Sequence, residues 1–448
     1  MIGRLLKKCH NLLAHSAGRL YSVYNTRDET PMAFALRPHQ TSAVAAMERA
    51  GKGQIIVPTG GGKTLMGITD AVRRLESSFS PITIVVVAPR ILLANQLCEE
   101  YMEVIRERVA NVQVMHVHSG ETSYNSSTKV QQIMCHTGVC MNAGMHQIIF
   151  TTYHSLARVA EAGVEVDTIY FDEAHNSVQR HFFPATQYFA QTALRSFFFT
   201  ATPKHSLVAT KPGMNDASVY GNVIMNVPAP EMVKGGFIVP PKVVAKQMDT
   251  VSNEDMTPER DAQHVIDALD EHKAGKVLVA AKAVKQIIRM FSHSDFAAQL
   301  QKRGYSYMHI SASHGAFIDG QKVDREQFFQ TLNRWGGEKG KKFVVLHHSI
   351  LSEGINVSGL EAVVFLRAMD YIGISQTIGR AIRLHKDDAK GLRNGSIKPG
   401  ALESYTKSFG LCIVPVFNKA QASAAKSIQK VAEIVFTEGM PAVSTIRR

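Results

Sequence analysis

The chain of 448 residues is 45% hydrophobic and 20% charged, which excludes a disordered or low-complexity protein and, by length, predicts two or three domains. Lys and Arg outnumber Asp and Glu by 50 to 38, a formal net charge of +12, and that balance favours polyanionic partners, nucleic acid foremost. No apolar run approaches the roughly 20 residues of a membrane span, so no membrane partner and a soluble protein are expected.

Residues 1–33 read as a basic extension in which Arg4, Lys7, Lys8, Arg19 and Arg27 precede the first acid, Asp28. This is the composition of a mitochondrial transit peptide in a eukaryotic protein, or of a basic surface helix on a cytoplasmic or viral one. The five cysteines, Cys9, Cys98, Cys135, Cys140 and Cys412, lack the spacing of a disulfide framework, which points to a reducing compartment. "CHTGVC" at 135–140 is read as structural, because no second ligand pair elsewhere completes a metal site.

From 34 to 236 short β-branched or aromatic runs alternate with helical stretches: "QIIV" at 54, "ITIVVVA" at 82, "VQVMHV" at 112, "QIIFTT" at 147, "DTIYFDE" at 167 and "RSFFFTA" at 195. Continuous apolar strands separated by helices predict an α/β domain with a parallel sheet covered on both faces. "GGFIVPPK" then signals a linker over 237–260, and a second α/β domain over 261–418 follows with "KVLVAA" at 276, "YSYMHI" at 305, "FVVLHH" at 343, "EAVVFL" at 361 and "GLCIVPV" at 410. The tail, 419–448, carries Ala424, Ile428, Val431, Ala432 and Val435 at helical spacing, a stripe expected to pack on the second domain.

"VPTGGGKTL" at 57–65 is the first stretch that carries chemistry. It sits between a strand and a helix, so the N–H groups of Gly60, Gly61 and Gly62 converge where the helix dipole also favours an anion. In such a turn Pro58 and Thr59 join the glycines in binding the nucleotide, Lys63 reaches its outer phosphates, and Thr64 ligates Mg²⁺. The second stretch is "IYFDEAH", where Asp172 and Glu173 follow an apolar strand. Asp172 suits the Mg²⁺ shell and Glu173 suits a base that orients and deprotonates water.

"PTGGGKT", "APR" at 88–90, "TTYHSL" at 151–156, "DEAH" at 172–175, "TATP" at 200–203, "SEGINV" at 352–357 and "QTIGRAIR" at 376–383 occur in the order found in superfamily 2 helicases. The set resembles most the DExH branch that includes the phage UvsW helicase, RecG-like enzymes and the helicase subunits of type III restriction enzymes. The resemblance implies two tandem RecA-like domains with ATP in the cleft between them, and a nucleic-acid-stimulated ATPase. It implies that Gln40 and Arg37, in "LRPHQTSAVAAM" at 36–47, contact the adenine base and that Gly354 lines the nucleotide pocket. Arg380 and Arg383 would supply cations for the γ-phosphoryl charge, His175 and Gln376 would meet across the cleft, and Thr200 and Thr202 would link hydrolysis to strand movement. Pro89, Arg90, Thr152 and Ser352 would touch the sugar-phosphate backbone, giving sequence-nonspecific binding. Asn356, where related sequences often carry Asp, and "VLVAAKAVKQ" at 277–286 depart from the pattern. A DNA translocase or helicase acting in repair, recombination or replication leads the functional readings. An RNA helicase or ribonucleoprotein remodeller, and an ATP-gated nucleic-acid clamp without unwinding, stand beside it.

Overall fold

The computed structural model describes residues 36–247, 256–311, 314–348, 359–366, 371–416, 419–441 and 443–446. Over them the chain divides into two compact units that part after Asn226.

The first unit contains β1 (Lys52–Ile56), β2 (Thr83–Ala88), β3 (Val112–Val117), β4 (Asn125–Ser126), β5 (His146–Thr152), β6 (Thr168–Phe171), β7 (Arg195–Thr200), β8 (Lys204–Ser206) and β9 (Val223–Asn226). All but β8 form one sheet in the order β4-β3-β5-β2-β6-β7-β1-β9, and every neighbouring pair in it is parallel. The sequence dictates this burial: "TIVVVA" in β2 is buried at every position, as a strand covered by helices on both faces must be. Phe171 and Phe198 stack across β6 and β7 with centroids 4.7 Å apart, filling the space under the helices.

A polar staple fixes the helix Lys63–Ser77 against this sheet. Asp70, 1% exposed, accepts both guanidinium N–H groups of Arg195 at 2.7 and 2.9 Å and the hydroxyl of Tyr170 at 2.6 Å. One turn further on, Arg74 forks onto Asp167 at 2.6 and 2.8 Å. A buried charge is tolerable only when paired and hydrogen-bonded in this way, so the network sets the helix's register on the strands.

The second unit contains β10 (Pro241–Gln247), β11 (Lys276–Ala280), β12 (Ser306–Ser311), β13 (Gly315–Ile318), β14 (Gln321–Val323), β15 (Phe343–His347), β16 (Ala362–Phe365) and β17 (Gly410–Val416). Their order is β10-β17-β16-β11-β15-β12-β13-β14, parallel except for the antiparallel pairs made by β13. The β13–β14 hairpin turns on Asp319 and Gly320, at φ 46° and 83°, the two positive-φ positions that an Asp-Gly turn fits. Ile428, Val431 and Val435 on the helix Lys419–Phe436 are buried, and that helix packs on β10, β17 and the helix Tyr371–Ala381. Both units are thus RecA-like α/β domains, as expected.

Two boundaries differ from the sequence reading. The first unit ends at Asn226 rather than at 236, and the segment read as linker, 237–260, contains β10 and the start of the helix Thr257–His272. The reason is packing: a Cβ on Gly236 would press on Leu392, Pro399 and Tyr405, and Val239 N–H donates to Ile382 O at 2.8 Å, so this stretch is committed to the second unit. The C-terminal helix ends at Phe436, and Ser444–Ile446 form a short strand, β18. Among the described residues no helix is long and apolar enough to cross a membrane.

Candidate nucleotide site and its surroundings

The parallel sheet of the first unit delivers its chemistry to one edge, because the C-terminal ends of parallel strands all point the same way and their loops gather there. β1 runs into the glycine turn, β6 into Asp172 and Glu173, and β7 into Thr200. These three strands are adjacent in the order β6-β7-β1. β2 and β5, adjacent on the other side of β6, end before Pro89 and at Thr152. The edge is therefore split by strand order into a half carrying the phosphate turn and carboxylates and a half carrying the expected backbone-contact residues.

Backbone geometry explains the glycines. Pro58 and Gly61 close a turn, with Gly61 N–H donating to Pro58 O at 3.0 Å, while Gly60 and Gly62 take φ of 87° and 78°, a region that costs other residues about 1 kcal/mol or more. A Cβ on Gly61 would collide with Val57, and one on Gly62 with the amide of Gln40. Gly62 caps the helix Lys63–Ser77, placing Lys63 and Thr64 in its first turn. Gln40 is 2% exposed; its Oε1 accepts from Arg37 N–H at 2.8 Å and its Nε2 donates to Gly62 O at 3.3 Å. Arg37 itself caps the helix Pro38–Ala50. Gln40 thus reads the loop's conformation from the protein side.

Asp172 and Glu173 are held by their main chain. Asp172 N–H donates to Val87 O at 2.9 Å, the Tyr153 hydroxyl donates to Asp172 O at 2.8 Å, and Asn176 Nδ2 donates to Glu173 O at 3.0 Å. Glu173 sits at φ 45°, ψ 53°, a left-handed conformation that a non-glycine residue adopts at a cost of about 1–3 kcal/mol and that concentrates at functional sites. Among the described residues its Oε2 is buried without a hydrogen bond, 3.5 Å from His175 Nδ1. The same Nδ1 lies 3.0 Å from Thr200 Oγ1 and 3.4 Å from Thr202 Oγ1. Burial and the neighbouring Glu173 charge push the Asp172 carboxyl up to about 7, with Lys63 pulling it back. The oxygen donors here, Asp172 and the Thr64 hydroxyl, are of the hard type Mg²⁺ selects, so the residues present fit that ion.

In the second unit Gln376 and Arg380 lie one turn apart on the helix Tyr371–Ala381, 8% and 4% exposed, and Arg383 follows just beyond its end. Of the expected backbone contacts, Arg90 is exposed at the head of the helix Ile91–Arg108 while Pro89 is buried. Thr152 is 4% exposed at the end of β5, and His154 is the exposed polar residue of that stretch. Ser352, Gly354 and Asn356 lie outside the described residues. "CHTGVC" lies in the helix Val130–Asn142, where His136 Nδ1 meets Gln147 Nε2 at 2.8 Å and Cys140 Sγ at 3.6 Å. Sequence reading did not single out Tyr153, Asn176, Asp70 or Arg195. Tyr153 lies in "TTYHSL" and Arg195 in "RSFFFTA", but neither stretch names the partner, and Asp70 and Arg195 are far apart in the chain.

Residues 33–205 match the family model of the type III restriction enzyme res subunit, and residues 260–385 match that of the helicase conserved C-terminal domain. No curated protein matches the sequence significantly. Among solved structures the chain is similar to the ATP-dependent type ISP restriction-modification enzyme LlaBIII bound to DNA, with TM-score 0.68 and 16% identity over 94% of this chain and 32% of that one. A nuclease-deletion mutant of the type ISP enzyme LlaGI with a DNA substrate mimic gives TM-score 0.63 and 17% identity over 92% and 30%. S. cerevisiae Dbp5 bound to RNA and ADP BeF3 gives TM-score 0.52 and 14% identity over 92% and 94%. The chain spans about a third of the length of those two restriction enzymes. At these identities the likeness is one of fold.

Proposed function

The chain belongs to the superfamily 2 helicases, with a first domain of the type III restriction-subunit kind, and we propose that it is a nucleic-acid-stimulated ATPase that translocates along or unwinds DNA. The observation that carries this reading is that β1 runs into a glycine turn with positive-φ Gly60 and Gly62 while β6, two strands away in the same sheet, runs into a strained, buried Glu173.

Each residue has a task in such a reaction. The N–H groups of the turn and the ammonium of Lys63 bind the β- and γ-phosphates of ATP. Asp172 and Thr64 would hold Mg²⁺, which neutralises charge on the phosphate oxygens when bound. Glu173, whose Oε2 has no hydrogen bond among the described residues, orients the attacking water and takes its proton. Arg380 and Arg383 meet the charge that develops on the transferring phosphoryl group, and Gln40 and Arg37 serve the base side of the nucleotide. Gln376 and His175 relay the state of the site, with Gly354 completing the pocket. Arg90, Pro89 and Ser352 grip the sugar-phosphate backbone without reading sequence. Thr152, at the end of β5, belongs to the same grip.

DNA is favoured because the first domain's family is that of restriction enzymes and because LlaBIII and LlaGI are the DNA-bound relatives in fold. The RNA reading draws on the match to RNA-bound Dbp5, which covers 94% of that chain. ATPase assays with single-stranded, duplex and branched DNA and with RNA as competing activators decide between them. Activation by RNA alone would reverse the assignment, and absence of ATP turnover with every activator would remove it in favour of a clamp or recruitment role.

A further inference from the structure

The segment that ends the helix Tyr371–Ala381 is held by a buried amine. Lys407 is 9% exposed, and its Nζ donates to Arg383 O and to Leu360 O, each at 2.7 Å. Its own main chain is fixed in turn: Thr406 N–H and Lys407 N–H donate to the Asp388 carboxylate at 2.7 and 3.0 Å, and Asp388 is 0% exposed on the helix Lys386–Arg393. Immediately upstream, Val239 N–H takes the carbonyl of Ile382, and a Cβ on Gly410 would collide with the carbonyl of Ala381. Residues 381–383 are therefore pinned one after another, the last of them by a charged side chain.

A buried primary amine is disfavoured relative to an apolar residue of the same length unless acceptors satisfy its N–H groups, and here two carbonyls do so. An ammonium that bridges two carbonyls fixes their separation and direction, because its N–H bonds are directional and charge-assisted. We propose that Lys407 is a positioning residue: by joining Arg383 O to Leu360 O it sets where the Arg380–Arg383 segment presents its guanidinium groups. The proposal rests on the reading of those arginines as the cations that meet the phosphoryl charge. Burial lowers the Lys407 amine to about 7, with Glu361, Asp388 and Cys412 favouring and Arg383 opposing its charge, in keeping with a group retained in spite of its surroundings.

The test is a double-mutant cycle on the full chain with Lys407→Met, Arg383→Ala and the pair, reading kcat, nucleotide Kd and Tm. Folded Lys407→Met is expected to lose about tenfold or more in kcat with nucleotide Kd within about threefold of wild type, and the double variant to be no slower than Arg383→Ala alone. Two results would overturn it: folded Lys407→Met with kcat within about twofold of wild type, or losses that multiply in the double variant, since either makes Lys407 independent of Arg383. Should Lys407→Met not fold, Lys407→Arg, which keeps the charge on a differently shaped head, is read by the same cycle. Normal turnover by Arg383→Ala sinks the arginine reading itself, whereas loss in Arg383→Ala beside normal Lys407→Met sinks only the positioning role.

Discussion

His175 Nδ1 stands 3.0 Å from Thr200 Oγ1 and 3.5 Å from Glu173 Oε2, so one ring nitrogen connects the end of β7 to the carboxylate after β6. The imidazole bonds Thr200 in preference to turning fully to Glu173, which leaves that carboxylate available to water. Replacing Thr200 by Val removes the hydroxyl at nearly constant volume and frees the ring to engage Glu173. A loss of one hydrogen bond, about 1 kcal/mol, predicts a fivefold to tenfold drop in kcat with KM nearly unchanged. Steady-state ATPase kinetics check this, and an unaltered kcat would show that the ring's position does not matter to the base.

Arg380 lies in the second unit and is buried, yet the proposed reaction uses it at the phosphates gripped by Lys63. Arg380→Ala is expected to keep nucleotide Kd within about threefold while kcat falls by roughly a hundredfold or more, because the cation acts mainly in the transition state. Normal kcat with weakened nucleic-acid binding would instead remove Arg380 from the reaction.

The Asp70–Arg195 pair predicts a stability effect separate from catalysis. Asp70→Ala leaves Arg195 nearly buried and without its bidentate acceptor, at a cost of about 3–5 kcal/mol. The double change Asp70→Leu with Arg195→Met is expected to recover much of that cost. Urea denaturation compares the variants; equal stability of Asp70→Ala and wild type would mean that the pair does not fix the helix after the phosphate turn.

Lys407 predicts a pH dependence. Its amine is lowered from the ordinary lysine range to about 7, chiefly by burial, so between about pH 7 and pH 10 the unfolded chain binds a proton there that the folded chain has released. Stability then rises with pH in that window, by about 1 kcal/mol per unit at most, and this contribution is flat below it. Glu361, Asp388, Arg383 and Cys412 face the amine, and Cys412, pushed up to about 12 by its burial, does not titrate in the same window. Urea unfolding at pH 7.5 and pH 9 is expected to show the rise in wild type and to lose it in Lys407→Met.

The strands that position the site were legible because a parallel sheet buried on both faces writes itself as short continuous apolar runs, and β1, β2, β3, β5, β6 and β7 all fall where such runs occur. The glycine turn and the Asp172–Glu173 pair were legible because phosphate and metal chemistry restrict residue type at fixed spacing. What stayed hidden depends on tertiary partners. Nothing local marks Asp70 as the acceptor for Arg195, 125 residues away, or Lys407 as a clamp on Arg383. The unit boundary differs because Gly235, Gly236, Pro240 and Pro241 resemble a linker, whereas Gly236 lies close against Leu392, Pro399 and Tyr405 and Pro241 opens β10. The Asp319–Gly320 hairpin was present in the sequence and was overlooked between two expected strands.

The central claim is that Glu173 activates water at a site that Lys63 and the glycine turn load with nucleotide. Its most direct test is single-turnover ATP hydrolysis by wild type and Glu173→Gln with saturating nucleic acid, alongside nucleotide Kd, with Lys63→Ala as the non-binding control. Glu173→Gln should retain nucleotide Kd within about threefold, slow hydrolysis by at least a hundredfold and accumulate as a nucleic-acid-bound, ATP-loaded complex, because only the proton acceptor has gone. Hydrolysis by Glu173→Gln at the wild-type rate would contradict the account.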